Sequence, residues 1–278
     1  MLLTGITLAA VVIGVLFYVL AAPAVWAAIL VVLGAWLVLA LLALLFLWVL
    51  CARVDIHKEE TEDNKFYRAV MRVYIQALKT LFIRVHAQGL EKIPTDGRFV
   101  LVCNHLDLPD PVLLLYAFPN SELAFITKKE NQNMFLVAQL MHKILCQPID
   151  RENDRAALKT ILKCIQLIKE DKVNIAVFPE GYCSKDGKLH PFRSGVFKIA
   201  QKANVPIVVC TVKNTKQIFR NMRKLKKTDV TLHLVDVIPA EELKGKNTVE
   251  IGDKVYEMMI ADLGEEFRYI GPENNEST

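Results

Sequence analysis

The stretch FVLVCNHLDLPDP, residues 99–111, sets an apolar run directly against a turn that holds an amide, a histidine, two carboxylates and two prolines. FVLVC (99–103) reads as a strand buried on both faces, because it is short, continuous and rich in β-branched residues. In open α/β sheets the working groups lie in turns just beyond the carboxyl ends of such strands. His105 stands there, and imidazole is the side chain best suited to take a proton near neutral pH. A histidine base needs a partner for its other ring nitrogen, usually a carboxylate. Asp107 and Asp110 are both near in sequence. On a continuous helix, positions i and i+5 point about 140° apart. The prolines break that geometry: Pro109 disfavours a helical Leu108, and Pro111 suits a first helical turn with Asp110 as N-cap. A turn over 106–109 then lets His105 meet Asp110. Read by itself, the stretch also fits Asp110 as a plain cap and His105 as a turn residue.

Working outward, IRVHAQGLEKIP (83–94) reads as a strand and turn, and further strands are expected at 123–127, 174–181, 205–212 and 229–238. Helical patterns fall at 111–118, 133–143, 154–170, 193–203 and 247–266. The alternation predicts an α/β fold, a mostly parallel sheet flanked by helices, over residues 84–268. A second polar strand end, FPEG (178–181), occupies the same kind of position as the first.

Residues 1–52 are a different material. They contain no Asp, Glu, Lys, Arg or His, so all 34 Lys and Arg and all 30 Asp and Glu lie beyond them. Segments 2–22 and 24–50, separated by Pro23, are each long enough to cross a hydrocarbon core of roughly 30 Å. A cleaved signal peptide is disfavoured by the missing basic n-region and by the second, longer apolar segment. Residues 1–52 are therefore expected to be a transmembrane helical hairpin, an N-terminal membrane anchor, although a re-entrant pair or one long kinked element fits the sequence too. The basic residues that follow, at 53, 58, 65, 68 and 72, place the charged domain on the cytoplasmic side. Residues 53–83 read as a linker and an amphipathic helix at the membrane interface. Lys65, Arg68, Arg72 and Lys79 fall within about 60° of one another on that helix. Packing on the domain is the competing reading. Residues 269–278 read as a disordered tail.

The six cysteines are scattered without a C-x-x-C pair and read as buried reduced thiols, which implies a reducing compartment. Cys183 as a nucleophile lacks a separate base in the sequence. Residues 213–227, KNTKQIFRNMRKLKK, carry seven of the 11 basic residues between Gly187 and Thr228, a span with no acidic residue. Such a stretch suits anionic lipid headgroups or the phosphates of a donor, and no nucleic-acid recognition motif accompanies it.

Four blocks occur in order: N-H-x4-D at 104–110, I-D-R at 149–151, F-P-E-G at 178–181 and V-P-I at 205–207. Over roughly residues 66–268 the chain resembles the glycerolipid acyltransferase family, specifically the 1-acylglycerol-3-phosphate acyltransferases. The resemblance implies that His105 deprotonates an acceptor hydroxyl while Asp110 orients and stabilises it, and that the hydroxyl attacks an acyl thioester directly. It places Asn104, Arg151, Glu180 and Gly181 among the substrate-binding residues, Arg151 on the acceptor phosphate, and Pro206 near the donor or in a structural role. It implies acyl-CoA or acyl-carrier protein as co-substrate, a lysophospholipid acceptor in a lipid membrane, no metal and no separate cofactor. The third block departs from the family's usual Thr-Arg-Ser by reading Tyr182-Cys183-Ser184, which removes a phosphate-binding cation. Lys128 with Lys129, Lys185 or Arg193 are the candidates to replace it, or the acceptor is another lysolipid or glycerol-3-phosphate. Two further classes remain: a metal-dependent lipid hydrolase or phosphatase using His105, Asp107, Asp110 and Glu180, and a lipid-binding scaffold without activity.

Overall fold

The computed structural model describes residues 1–21 and 24–271; the expected break at Pro23 and most of the expected disordered tail lie outside the described residues. Helices α1 (Leu2–Ala21) and α2 (Val25–Ala52) run antiparallel, since Trp36 of α2 donates to Thr7 and Gly14 of α1 faces Val32. A Cβ at Gly14 would come within 2.2 Å of Val32, so the missing side chain is what permits the close crossing. Both helices are long and apolar enough to span a membrane, and no residue in the most apolar stretch of α2 is buried inside the protein.

Helix α3 (Lys65–Phe82) follows, capped by Asn64. It is held on two sides. Its Tyr67 and Tyr74 hydroxyls donate to the Leu50 and Ala43 carbonyls of α2. Its basic stripe faces the domain: Arg68 pairs with Asp63 at 2.6 Å and donates to the Leu123 carbonyl. Arg72 donates to the Pro119 carbonyl, and Lys79 lies over the Tyr116 ring. The apolar flank with Phe66 and Val70 lines an apolar pocket together with Leu2 and Phe46 of the first two helices. The basic stripe thus turns toward the domain, with Arg68 buried while Lys65 and Arg72 stay exposed.

The domain then alternates strands β1 (Ile83–Gln88), β2 (Val100–Cys103), β3 (Leu123–Lys128), β4 (Gln147–Ile149), β5 (Asn174–Val177), β6 (Ile207–Lys213) and β7 (Thr228–Ile238) with helices α4 (Asp110–Ala117), α5 (Val137–Lys143), α6 (Asp154–Lys169), α7 (Lys198–Ala203), α8 (Gln217–Met222) and α9 (Thr248–Leu263). The sheet order is β1-β7-β6-β2-β5-β3-β4. Every neighbouring pair is parallel except β6–β7. The fold is α/β with a mostly parallel sheet, as the alternation predicts. β2, β5 and most of β6 are fully buried, as expected for strands covered on both faces. Because β6, β2, β5, β3 and β4 all run the same way, the residues that follow them gather at one edge of the sheet. β4 escaped the pattern reading: it is three residues long with Pro148 inside, tolerable only on an edge strand. The helix α8 inside the basic stretch was not anticipated either.

Candidate active site

Two strand ends build the site. After β2 the chain turns sharply, and α4 begins at Asp110 itself, with Pro109 as N-cap and Pro111 in the first turn. Asp110 is therefore not the N-cap that the prolines suggested. Its carboxylate bends back over the turn, where one oxygen accepts the N–H groups of Leu106 (2.6 Å) and Asp107 (2.9 Å) and meets His105 Nδ1 at 2.8 Å. The carboxylate is fully buried, and its other oxygen has no partner. Asp107 instead accepts the N–H of its neighbour Leu108 and has no contact with the imidazole. The His105 ring stacks on Phe178, with centroids 4.1 Å apart and planes 20° from parallel, and Phe178 stacks in turn on Phe125.

The end of β5 locks this turn in place. Glu180 is 1% exposed, and its two oxygens accept the backbone N–H groups of His105 (2.8 Å) and His190 (3.0 Å). The His105 carbonyl in turn accepts the Ser184 N–H at 2.8 Å. Between these anchors lies Cys183, whose Sγ is 3.1 Å from His105 Nε2. Burial favours the neutral imidazole, but hydrogen bonds to Asp110 and Cys183, with their charges, outweigh it and raise the His105 pKa to about 9. Burial raises the Glu180 pKa to about 7, against the pull of its two N–H donors.

Gly181 adopts a left-handed φ of +84°, which favours glycine, and a Cβ there would meet Arg193 at 3.1 Å and the Arg151 guanidinium carbon at 3.8 Å. The two guanidiniums converge over this turn. Burial and the Arg193 charge lower the Arg151 pKa, and an anion between the two cations would relieve that strain.

The expected residues thus divide. His105, Asp110, Gly181, Arg151 and Arg193 come together at the sheet edge. Glu180, expected on the substrate, instead spends both oxygens on backbone amides. Asn104, 2% exposed, exchanges hydrogen bonds with Val212 and ties β2 to β6. Both therefore hold the scaffold. Lys128 is exposed with its ammonium at Glu130, Lys129 pairs with Asp150, and Lys185 is exposed with its carbonyl accepting Lys216. Of the candidates for the lost cation, Arg193 is the one that stands beside Arg151 over the Gly181 turn. Of the carboxylates in the hydrolase alternative, Asp107, Asp110 and Glu180 each accept backbone N–H groups, and among the described residues no cluster of three metal-ligating side chains forms. Phe178 and Cys183 are the contacts of His105 that residue pattern did not reveal. Cys183 was visible only as a departure from the third block, and its Sγ lies beside His105 Nε2.

Residues 84–213 match the acyltransferase family model. The chain carries an acyltransferase-family domain. Among curated relatives, a chloroplastic 1-acyl-sn-glycerol-3-phosphate acyltransferase of Brassica napus is 31% identical over 56% of this chain and 44% of its own length. A probable 1-acyl-sn-glycerol-3-phosphate acyltransferase of Mycoplasma pneumoniae is 32% identical over 62% of this chain and 63% of its own. The alpha 1-acyl-sn-glycerol-3-phosphate acyltransferase of Ovis aries is 26% identical over 78% of this chain and 75% of its own. The chain spans 44% and 63% of the length of the first two of these curated relatives. The crystal structure of the 1-acyl-sn-glycerophosphate acyltransferase of Thermotoga maritima superposes with a TM-score of 0.61 at 24% identity, covering 81% of this chain and 89% of that one, which establishes a shared fold. In the acyltransferase domain, both the N-H-x4-D and F-P-E-G blocks lie inside the matched residues.

Proposed function

We propose that this protein is a membrane-bound O-acyltransferase that moves a fatty acyl group from an acyl thioester to the free hydroxyl of 1-acylglycerol-3-phosphate, giving phosphatidic acid. The observation that carries this reading is the His105–Asp110 pair at the sheet edge, with its second ring nitrogen beside a turn over which two guanidiniums converge. Asp110 accepts from Nδ1 and so leaves Nε2 as the proton acceptor. The ionised carboxylate then stabilises the imidazolium that forms. A base of this kind contributes about 10²–10⁴ in rate, roughly 3–5 kcal/mol. Arg151 and Arg193 hold the acceptor phosphate, a role suited to planar guanidinium forks. The names of the relatives support the acceptor class. The donor is acyl-CoA or acyl-carrier protein, and the residues need no further cofactor for this chemistry. The α1–α2 hairpin anchors the domain in the bilayer where acceptor and product reside, and the basic residues after α2 favour the cytoplasmic side.

The test is mass spectrometry of the full chain in vesicles with oleoyl-CoA and a panel of lysophospholipids. Phosphatidic acid from lysophosphatidate is the expected product. Transfer only to a neutral or choline headgroup would move the acceptor assignment, and no transfer to any lysolipid or to glycerol-3-phosphate would end the reading.

A further inference from the structure

We propose that α8 and the turn after it, residues 216–227, form a second membrane contact: a docking surface for the anionic headgroups of the bilayer that holds α1 and α2. The inference rests on the bilayer placement proposed above and is independent of the acyl-transfer chemistry. Its first support is charge. Arg220, Arg223, Lys224, Lys226 and Lys227 are exposed, and among the described residues none of them pairs with a carboxylate. Asp229, the next acidic residue along the chain, is engaged by Arg84 and His86. Unpaired cations gathered on one short surface repel one another, and an anionic lipid layer relieves that repulsion. The second support is a leucine in the wrong place for a soluble turn. Leu225 is 89% exposed between Lys224 and Lys226, and Phe219 is exposed beside Arg220. Lys226 N–H donates to the Asn221 carbonyl and Leu225 N–H to the Met222 carbonyl, both at 2.9 Å. That pattern closes a helix with a left-handed residue, usually glycine, and here Leu225 takes it at φ +52°. The leucine is unfavourable in both backbone and hydration, and no contact within the fold offsets either. Entry into the acyl boundary, with a lysine on each side at phosphate level, offsets the second. Donor phosphates would match the cations but leave the leucine in water.

The fold puts this surface on the side where α2 enters the lipid. α3 runs back along α2, because Tyr67 reaches the Leu50 carbonyl and Tyr74 reaches the Ala43 carbonyl, two turns further into the apolar helix. The far end of α3 therefore points toward the bilayer, and α8 packs there. Ile218 is buried with Ile83, and Phe82 and Met222 close around them. Two bonds tie the same segment to the site. Val212, at the end of β6, exchanges hydrogen bonds with Asn104, and Lys216 donates to the Lys185 carbonyl in the segment that follows Cys183. A leaflet docked on α8 thus lies beside the sheet edge that carries His105.

The experiment uses the full chain in vesicles of phosphatidylcholine mixed with phosphatidylglycerol that carries a photoactivatable diazirine near its headgroup. After illumination, peptide mass spectrometry should place lipid adducts on the α1–α2 hairpin and also on residues 216–227, centred on Phe219 and Leu225. With the diazirine on phosphatidylcholine in vesicles of that lipid alone, the hairpin adducts should stay and those on 216–227 should fall about tenfold. Added salt should lower the adducts on 216–227 in the anionic vesicles. Reversing the charge at three positions together, Lys224→Glu, Lys226→Glu and Lys227→Glu, should remove them. Leu225→Gly keeps every cation and suits the turn, so it should melt at or above the wild-type temperature while losing adducts. A leucine that served only the fold would lower the melting temperature and leave the adducts in place. Adducts confined to the hairpin would overturn the docking surface and leave the anchor standing; adducts nowhere would overturn both. Adducts on 216–227 that persist in neutral vesicles and in both variants would overturn the recognition of anionic lipid. No adducts on 216–227, together with a raised KM for an acyl-carrier-protein donor in the charge-reversed chain, would give the surface to the donor instead.

Discussion

The turn after β2 and the turn after β5 each end a buried strand and each bury a carboxylate almost completely, yet they use it differently. Asp110 directs one oxygen to the imidazole and to two N–H groups of its own turn. Glu180 directs both of its oxygens to backbone N–H groups, one of them in the other turn. One carboxylate conditions a proton acceptor, and the other fastens the segment that carries it. What a buried carboxylate does is therefore read from where its lone pairs go, since both carry the same functional group and both are buried.

Substitutions can break that contrast, beginning with the largest effect. His105→Ala should lower acyl transfer by about 10²–10⁴ while thermal unfolding stays cooperative; a loss under tenfold would remove the β2 turn from the chemistry. Asp110→Asn should fall nearly as far and should also move the pH profile. The base acts when neutral, so kcat/KM of the wild type should climb with pH up to about 9, and without the carboxylate the midpoint should drop toward the ordinary histidine value. An unmoved midpoint would mean that Asp110 does not set the base. Arg151→Ala should raise KM for a phosphorylated acceptor about tenfold or more, with little change for the thioester donor.

The β5 turn should respond through stability instead. Glu180→Gln presents an NH2 to one of the two backbone donors and should cost about 1–3 kcal/mol in denaturant unfolding, with activity per folded molecule largely kept. Its pH signature has a definite sign. Glu180 holds its proton to about 7 and His105 to about 9 in the folded state, each above its ordinary value. The folded chain thus binds more protons than the unfolded chain across those windows, and stability should fall as pH rises from about 4.5 to about 9. The Gln variant should flatten the lower part of that slope. Asp107→Asn should be the mildest, within about 0.5 kcal/mol and with transfer unaffected, because its carboxylate serves only its own turn.

The fold was legible because its strands are apolar runs with polar ends, and the sheet's parallel order follows from the helices between them. Asp110 as the partner of His105 was accessible too, since the prolines dictate a turn where a helix would have separated the two. The carboxylate's reach back over Leu106 and Asp107 was not, because a cap and a back-bent N1 residue have the same local pattern. Helix α3 showed its two faces in sequence but not which neighbour each would meet; a stripe of arginines matches a headgroup layer or a set of carbonyls equally well. Glu180 and Asn104 belong to quoted motifs, but their partners lie 75 and 108 residues away, beyond any local rule. Cys183 meets His105 across 78 residues for the same reason.

Helix α3 is fastened to α2 by two tyrosine hydroxyls and to the domain by Arg68, Arg72 and Lys79, next to the helix whose first residue is Asp110. It works as a rigid strut. In the membrane-embedded protein proposed here, the 28 residues of α2 span about 42 Å, longer than a hydrocarbon core of about 30 Å, so the helix must lean to fit. A strut transmits that lean. The height of the reaction centre above the lipid then becomes a property of bilayer thickness, and turnover should vary among vesicles of graded acyl length. A rate flat across that series would mean that the strut yields.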